Sequence, residues 1–527
     1  MTHNPLHTIS LAGKPLNFAE LVSIGARQAV LRAGPEAMAR VAAARAVVDA
    51  ALAQNKPIYG STTGVGAMKE VAWAENQLDT FNMGLVRAHH FGTGEPFSDK
   101  VIRTAIAIRV NTLLTGRVGC TTGLVDAYLA LLSTDVVPVV RRTGSIGCAD
   151  IGLMGQIGAV LTGVGEAVFA GRRLPADEAL AAAGIEPIRL APRDSLAAVS
   201  TNAVGYAAAA HAVRAAATVV RVMLATGLTT AGALGASRDP WRATAHVGNA
   251  HEAVIGAWLY ANAKGWDWPD ATHIQDPLSI RMMSQVFATA FDVLTKAGNV
   301  LLDATGRTDD NPVVCDGEVL TSGGSLPLEV TVAIQSAQIA LAHVARNSFN
   351  RCVLLGNGGR RGLPVNLVMP GAIATGFGPA IKLAGELFAR VLTMMNPISA
   401  SSVVVAGGLE DEAAFLPLVV ERFERQVATL ERLAALESIL AAQAMDISGD
   451  RPDCVAGMIY ELTRRHSETY VTDRPLSAEV EAVEQALSTP ATLAELISHA
   501  SLADVDTFFA LGGVGDCNRQ GSLPLTG

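Results

Sequence analysis

Long apolar segments are the feature that most constrains how this chain can fold. Residues 203–236 form an alanine-rich apolar stretch that is interrupted by His211, Arg214 and Arg221. These interruptions favour a buried helix over a membrane span. Residues 330–351 and 376–395 also repeat apolar side chains at helical spacing, over lengths beyond a typical globular helix. The pattern predicts a thick bundle of mutually buried helices.

Composition agrees with helices that pack through small side chains. Half of the residues are hydrophobic and 5% are aromatic, which disfavours an aromatic-rich sandwich or barrel. Glycine-rich turns interrupt the first part of the chain, and a Gly/Pro-rich segment ends it. We therefore predict an all-α protein with a loop-rich N-terminal active-site domain (1–202), a central bundle of long helices (203–470), and C-terminal helices with an arm (471–527).

Charge and cysteine usage restrict the partners of the protein. The net charge is −9 and no run of Lys or Arg occurs, which argues against nucleic acid. The six cysteines are far apart without a Cys-x-x-Cys pair, and the opening residues are polar. We expect reduced thiols, no metal site, a cytoplasmic location and no membrane partner. A bundle this apolar also favours association with copies of itself.

Polar groups within glycine-rich loops or apolar helices are the candidates for chemistry, because burial is unfavourable unless such groups are paired or used. Tyr59 precedes a glycine-rich loop and is either a packed aromatic or a general acid or base. His89 precedes a glycine turn and is either structural or functional. Glu410, which follows a Gly-Gly pair, could simply begin a solvated helix.

Three more candidates lie in the later part of the chain. Gln275 and Arg281 are six residues apart, and Arg281 could clamp a substrate carboxylate or pair with a neighbouring acid. Lys382 stands in an apolar run, where it either extends to the edge of the bundle or is a buried, functional amine. Each of these residues has an ordinary structural explanation when taken alone.

Taken in order, these segments resemble the motifs of the histidine and aromatic amino acid ammonia-lyase family. The resemblance covers nearly the whole chain, and it implies a helical bundle assembled as a homotetramer, with active sites lined by several subunits. The matching segments and the family motifs are 59–66 (Tyr-Gly-x-x-Thr-Gly-Phe-Gly), 89–96 (Ser-His-Ala-Ala-Gly-x-Gly-Glu-Pro), 109–111 (Arg-x-Asn), 275–281 (Gln-Asp-x-Tyr-Ser-x-Arg), 310–312 (Asp-Asn-Pro) and 410–411 (Gln-Glu-Asp-His).

The centre of the family pattern differs in this chain. The family reads Gly-Ser-Val-Gly-Ala-Ser-Gly-Asp-Leu, and its Ala-Ser-Gly cyclises and dehydrates to the electrophile methylideneimidazolone. Residues 144–152 here read Gly-Ser-Ile-Gly-Cys-Ala-Asp-Ile-Gly. Ala149 takes the serine position and has no hydroxyl to lose. Asp150 replaces the glycine that closes the ring or, with one residue deleted, matches the family aspartate. Both alignments predict that this cofactor is not formed, and we expect no other cofactor.

Three further departures fall at positions that surround the electrophile in the family. Ser200 replaces an asparagine, Leu278 a tyrosine and Leu326 a phenylalanine. The residues that correspond to the base, the carboxylate clamp and the ring contacts are retained. This combination favours a site rebuilt for different chemistry over a decayed one.

A betaine substrate explains the combination. In the family the electrophile forms an adduct with the substrate amine and so improves a poor leaving group. A quaternary nitrogen has no lone pair for such an adduct and departs as a neutral tertiary amine. The chain resembles the ergothionase-type members of the family, which need no electrophile. The resemblance therefore predicts elimination of trimethylamine from an imidazole betaine, ergothioneine above all, to give thiourocanate.

The resemblance also implies roles for individual residues. Tyr59 would remove the β-proton, which requires a pKa lowered by neighbouring cations or donors. His89 and Glu410 would contact the ring, and Lys382 would face the ring sulfur and stabilise charge there.

The remaining residues would hold the charged ends of the substrate. Arg281, helped by Asn311, would bind the carboxylate, and Gln275 would also contact the substrate. Asp150 could lie beside the trimethylammonium group.

Three other functions stay open from the sequence. The enzyme could act on another betaine, such as trimethylhistidine without sulfur. It could be an ammonia-lyase or aminomutase with an unusual internal electrophile. It could also be a catalytically inactive binding protein that keeps the fold, although such a protein has no evident reason to retain Tyr59 and Arg281 together.

Overall fold

The computed structural model describes residues 7–268, 271 and 273–513, and it confirms the all-α class. Twenty α-helices lie in these described residues. They are α1 (Phe18–Gly25), α2 (Pro35–Ala53), α3 (Leu78–Ala88), α4 (Asp99–Leu113), α5 (Thr122–Thr134), α6 (Ile151–Leu161), α7 (Ala176–Ala182), α8 (Asp194–Val199), α9 (Ala203–Ala233), α10 (Asp239–Val247), α11 (Ala250–Asn262), α12 (Leu278–Arg281), α13 (Met283–Ala304), α14 (Leu328–Asn357), α15 (Gly378–Thr393), α16 (Leu416–Ser448), α17 (Val455–His466), α18 (Ser477–Leu487), α19 (Pro490–His499) and α20 (Ala503–Phe508).

Short strands connect the helices in the N-terminal part and around residue 315. In the described residues they are β1 (His7–Leu11), β2 (Ala29–Ala33), β3 (Thr93–Pro96), β4 (Val137–Pro138), β5 (Arg141–Thr143), β6 (Glu166–Phe169), β7 (Arg172–Pro175), β8 (Val313–Cys315) and β9 (Glu318–Leu320). Strands β1 and β2 pair in parallel, from His7 with Ala29 to Leu11 with Ala33. The other pairs, β3 with β5, β4 with β6, β6 with β7 and β8 with β9, are antiparallel.

The chain divides into two compact units, each assembled from separate segments. The first unit contains Met1–His211, Gly298–Ala333 and Pro397–Glu421, and the second contains the remaining segments. Four of the boundaries fall inside the long helices α9, α13, α14 and α16. The predicted division into three consecutive domains differs from this arrangement, because segments remote in sequence pack into the same unit.

The long apolar helices are buried, as predicted. Asp194–Ala233 and Leu328–Asn357 are long and apolar enough to cross a membrane by length and composition alone. However, 78% and 61% of their most apolar windows are buried within the protein, as is usual for core helices. Helices α14 and α15 also correspond to the segments predicted at 330–351 and 376–395.

A buried polar network ties helices together within the second unit. Glu437 on α16 accepts hydrogen bonds from Thr230 Oγ1 of α9 at 2.8 Å and from Ser348 Oγ of α14 at 2.5 Å. Arg351 of α14 forms an ion pair with the same carboxylate, with 2.9 Å between Nη2 and Oε2. Both charged side chains are fully buried, so each needs the other to offset its lost hydration.

The C-terminal region contains the shorter helices that the sequence predicts. Helices α18, α19 and α20 follow Tyr470 in the second unit. The predicted terminal arm falls mainly on residues 514–527, which lie outside the described residues.

Candidate active site

Tyr59 lies in a closely packed turn of the first unit. A Cβ atom at Gly60 would lie 2.4 Å from Leu196 Cδ2 of α8, and Gly60 has a φ of +63°. The glycine therefore allows the turn to approach the helix. The hydroxyl of Tyr59 accepts a hydrogen bond from the Gly66 N–H at 3.0 Å, which fixes the side chain over its own loop.

Glu410 lies on a second loop, which contacts the loop that follows Tyr59. Val405 and Glu410 are paired in a short hairpin, with 2.9 Å between Val405 N and Glu410 O. Glu410 therefore does not begin a helix. A Cβ at Gly66 would lie 3.4 Å from that of Ala406, and one at Gly407 would lie 3.4 Å from that of Ala67. The two loops are thus in contact, and the half-buried Glu410 carboxylate acts electrostatically on Tyr59.

The pKa of Tyr59 is raised and not lowered. Burial is the main cause, and the Glu410 carboxylate and the Cys148 thiol raise the pKa further. The Gly66 N–H stabilises the phenolate and opposes them, but it is outweighed. The prediction that neighbouring cations or donors lower the Tyr59 pKa is therefore wrong for the single chain, because the neighbouring titratable groups are acidic.

The turn at residues 144–150 lies at the same site and is held from several sides. Ala149 has a φ of +49°, and its N–H donates to Ser325 O at 2.9 Å. The N–H of Asp150 donates to Thr201 O at 3.0 Å. A Cβ at Gly147 would lie 2.5 Å from Leu416 N, so only glycine fits there. The turn therefore has one defined backbone position.

Asp150 is a buried structural acid. Its side chain is fully buried, Oδ1 accepts from Ser145 Oγ at 2.9 Å, and Oδ2 accepts from Gly205 N at 2.7 Å. Burial raises its pKa to about 7, although both hydrogen bonds act in the opposite direction. This placement does not fit the predicted contact with a trimethylammonium group. The carboxylate is directed at the start of α9, where it satisfies a backbone N–H of the first turn.

Cys148 and Ser325 are site residues that were not predicted from the sequence. Their side chains approach to 3.6 Å between Sγ and Oγ. Burial raises the pKa of the Cys148 thiol, and Glu410 raises it further, against a hydrogen bond from Ser325. Asn202 holds the Ser325 segment from the other side, through Nδ2 to Ser325 O at 2.9 Å. The pairing joins residues remote in sequence, so no spacing pattern could have revealed it.

The residues at this turn do not fit the family's methylideneimidazolone. Ring formation needs a side-chain hydroxyl at position 149 for dehydration and a free backbone nitrogen at position 150. Ala149 has no hydroxyl, and the backbone N–H of Asp150 donates a hydrogen bond to Thr201 O.

Asn311 is positioned by a buried ion cluster in the first unit. Arg109 pairs with both oxygens of Asp310, at 2.8 and 2.9 Å, and Arg193 Nη2 lies 3.0 Å from Oδ1. Burial favours the neutral form of Arg109, but Asp310 reverses this and raises its pKa. Next to the cluster, Asn311 Oδ1 accepts a hydrogen bond from Ser322 N at 2.8 Å. The NH₂ group of the same amide is therefore the part that can donate to a ligand.

His89 ends α3 with a defined tautomer. The 2.7 Å contact between Nδ1 and Leu85 O requires a proton on Nδ1, because a carbonyl oxygen can only accept. Nε2 is then an acceptor in the neutral ring. A Cβ at Gly155 of α6 would lie 2.3 Å from His89 O, so that helix packs directly on the backbone of the histidine.

Arg281 is the last residue of α12 in the second unit. The carbonyls of this short helix accept hydrogen bonds from other helices: Ser279 O from Asn347 Nδ2 at 3.0 Å, and Ile280 O from Trp241 Nε1 at 3.3 Å. Within the described part of the chain, the Nε of Arg281 is buried and has no hydrogen-bond partner. The Arg281 guanidinium therefore lies on a helix that is held by hydrogen bonds, and its Nε is a donor that no described residue uses.

Gln275 and Lys382 have exposed side chains in the second unit. Gln275 precedes the buried Asp276, which accepts from Ser237 N at 2.7 Å and pairs with Arg360. Lys382 lies on α15 and is exposed, so the single chain does not bury its amine. The structure thus brings Tyr59, Cys148 and Glu410 together in the first unit, whereas Gln275, Arg281 and Lys382 belong to the second.

Comparison with known proteins identifies relatives over almost the whole chain. Residues 16–465 match the family described as aromatic amino acid lyase. Histidine ammonia-lyase from Paracidovorax citrulli is 31% identical over 501 residues, which cover 93% of this chain and 98% of the relative.

Solved structures share the same fold. Ergothionase from Treponema denticola, in complex with desmethyl-ergothioneine sulfonic acid, superposes with a TM-score of 0.88 at 26% identity, covering 91% of this chain and 98% of the ergothionase. Histidine ammonia-lyase from Trypanosoma cruzi superposes with a TM-score of 0.86 at 24% identity and covers 99% of each chain, which supports the fold alone.

Proposed function

The chain belongs to the aromatic amino acid lyase family and is a carbon–nitrogen lyase by that membership, and we propose that it eliminates trimethylamine from an imidazole betaine without an electrophilic cofactor. Ergothioneine is the proposed substrate and thiourocanate the product. The similarity to the Treponema denticola ergothionase supports this choice.

One observation carries the proposal: the turn at residues 144–150, which lies beside Tyr59, lacks the groups from which the family's electrophile is made. Ala149 lacks the hydroxyl, and the nitrogen of Asp150 is engaged by Thr201. A substrate with a primary amine would need help to lose ammonia. A trimethylammonium group needs none, because its nitrogen has no proton to lose and therefore always departs as neutral trimethylamine.

The proposed reaction is a β-elimination. The Tyr59 phenolate removes a proton from the β-carbon, and the electron pair of that C–H bond forms the Cα–Cβ double bond. The Cα–N bond breaks, and its electrons leave with trimethylamine. Tyr59 then holds the proton and must return it to solvent before the next turnover.

The carboxylate and the ring of the substrate have separate proposed partners. Arg281 would bind the carboxylate, and the amide donor of Asn311 would assist. The Nε of Arg281 supports this role, because it is buried and has no hydrogen-bond partner among the residues that the structure describes. His89 would offer Nε2 to the ring, and Gln275 would add a further polar contact. Asp150 is excluded from this set because its carboxylate is buried and fully used.

Two residues would respond to charge during the reaction. Glu410 would contact the substrate ring next to Tyr59, on which its carboxylate already acts. Lys382 would face the ring sulfur and stabilise thiolate character in the transition state, for which an exposed amine on α15 is available.

The proposed assembly is a homotetramer with active sites shared between subunits. Exposed apolar side chains near the site, including those of Phe91, Val404 and Leu409, support burial against another copy. Light scattering of the purified enzyme tests the assembly, and a monomer would refute it. The proposed location is the cytoplasm, in agreement with the five free cysteines of the described residues. Cell fractionation tests it.

A side-by-side substrate assay tests the reaction. Purified enzyme should release trimethylamine from ergothioneine in equal amount with the unsaturated product, and it should not release ammonia from histidine. Efficient ammonia release from histidine would refute the proposal. Faster turnover of trimethylhistidine than of ergothioneine would identify a betaine without sulfur as the substrate.

The role of Tyr59 is tested by Tyr59→Phe. Loss of the proposed base should lower kcat by about 100- to 10,000-fold while substrate binding persists. Tyr260→Phe on α11 of the second unit is the matched control and should keep normal turnover. A near-normal rate in Tyr59→Phe would exclude Tyr59 as the base. Intact mass supplies a separate check, because an internal electrophile formed by dehydration would reduce the mass by one water.

A further inference from the structure

The Tyr59 site combines an acid that must ionise with a carboxylate that opposes ionisation. Glu410 is on the hairpin whose Ala406 and Gly407 contact the loop that follows Tyr59. The titratable groups that act on Tyr59 from the packed loops are Glu410 and Cys148. On the Tyr59 loop itself, Lys69 and Glu70 pair with each other at 3.7 Å and are exposed. Removing the phenol proton in the empty site would therefore place a second negative charge near Glu410.

From this arrangement we propose that Glu410 makes the enzyme selective for permanently cationic substrates, by coupling the ionisation of Tyr59 to the arrival of a quaternary ammonium group. The inference rests on the proposed function, because it assigns to Tyr59 the role of base. It adds a specificity role for Glu410 that a ring contact would not provide.

The physical reason is a balance of charges in a half-buried site. Like charges at short range disfavour ionisation of the second group, and an opposite charge favours it. A bound trimethylammonium group offsets one of the two negative charges that the Glu410 carboxylate and the Tyr59 phenolate would carry together, so ionisation of Tyr59 adds no net repulsion beyond that of the empty site. The Gly66 N–H, 3.0 Å from the phenol oxygen, also stabilises the phenolate. The base would thus form in the complex and not in the free enzyme.

The same balance discriminates between kinds of ammonium ion. A primary or tertiary ammonium group carries a proton and can transfer it to the phenolate, which gives a neutral amine and a protonated tyrosine. This transfer removes both the base and the cation. A quaternary nitrogen has no proton to transfer, so only it can keep Tyr59 ionised. Burial also raises the pKa of the neighbouring Cys148 thiol.

The first test is a spectroscopic titration that requires no turnover. Tyrosinate absorbance is followed between about pH 7 and 11, and subtracting the Tyr59→Phe titration isolates Tyr59 from the other five tyrosines. Glu410→Gln should lower the Tyr59 midpoint by roughly one pH unit in the free enzyme. Glu412→Gln, which changes an exposed carboxylate two residues away, is the control and should leave the midpoint unchanged. An unchanged midpoint in Glu410→Gln would overturn the proposal.

The second test adds ligands that cannot be eliminated. Glycine betaine has a trimethylammonium group and a carboxylate but no β-carbon, and tert-butylacetate is its isostere without the positive charge. Glycine betaine, at a concentration that saturates its calorimetric binding, should lower the Tyr59 midpoint, whereas tert-butylacetate and dimethylglycine should not. Failure of glycine betaine to bind, binding without a shift, or an equal shift with all three ligands would each contradict the coupling.

The two proposals fail in different ways. Trimethylamine release from ergothioneine with no effect of Glu410 on the Tyr59 midpoint would refute the coupling and leave the elimination standing. A ligand-dependent midpoint without any turnover would support the coupling and remove the proposed reaction.

Discussion

The buried carboxyl of Asp150 should make the stability of the protein depend on pH in an unusual direction. Its pKa is about 7 in the folded chain, against an ordinary value of 3.8. The folded state therefore binds more protons than the unfolded state between these values, so this group's contribution to stability falls as pH rises through this window. Most carboxylates in ion pairs have the opposite effect.

Replacing Asp150 with Asn should remove this dependence. The Asn carbonyl can still accept from the Gly205 N–H, and its amide can donate to Ser145 Oγ. Relative to the wild type, the variant should gain about 2–3 kcal/mol of unfolding free energy between about pH 5 and pH 8. The window follows from the raised pKa, since each pH unit within it contributes about 1.4 kcal/mol.

Denaturant unfolding of both proteins at several pH values measures this difference. Protein concentration must be kept constant, because assembly makes stability depend on it. Asp79→Asn, which removes an exposed carboxylate on α3, is the control and should show a flat difference. Ser145→Ala should move the loss of stability to higher pH, because it removes a donor that favours the ionised form. A difference between wild type and Asp150→Asn that is constant from about pH 5 to 8 would refute the reasoning.

Three further substitutions, with a fourth as a control, test the packing inside each of the two units. Glu437→Ala leaves the buried guanidinium of Arg351 unpaired and should lower the unfolding free energy by about 3–5 kcal/mol, measured by denaturant unfolding. Asp310→Ala removes the carboxylate that pairs with two buried arginines, and it should lower the unfolding free energy by at least as much. A loss below about 1 kcal/mol would show that water compensates for the missing carboxylate. Gly147→Ala should prevent folding, judged by soluble yield and circular dichroism, because its Cβ would lie 2.5 Å from a backbone nitrogen that opens α16. Gly171→Ala, with a similar φ of +73° but open space around it, should cost only about 1 kcal/mol.

Parts of the candidate site could be predicted from local sequence. The apolar periodicity that predicts α14 and α15 is a property of each segment alone, so the positions of these helices can be predicted without tertiary information. The substitution of Ala149 for serine is equally local, since a missing hydroxyl excludes dehydration in any fold. The glycines around Tyr59 indicate close backbone approach, and a Cβ at Gly60 would indeed collide with Leu196.

Other parts depended on contacts that no local pattern encodes. As an acidic residue, Asp150 was predicted to contact a cation. In the structure its carboxylate is buried and accepts hydrogen bonds from Ser145 and Gly205. The expected lowering of the Tyr59 pKa was wrong because burial raises it and its acidic neighbours, Glu410 and Cys148, raise it further. The sign of such a shift depends on which side chains fold against the group, and spacing along the chain does not supply it.

By itself, the sequence determined the helical class, the family resemblance and the absence of the chemical group from which the electrophile is made. These follow from side-chain type and from periodicity along a single segment. Only the tertiary structure decided that Glu410 and Cys148 act on Tyr59, that Asp310 anchors two buried arginines, and that burial raises the pKa of Asp150 to about 7. Those properties arise from burial and from charges brought close by folding, and their free energies depend on distances that exist only in the folded chain.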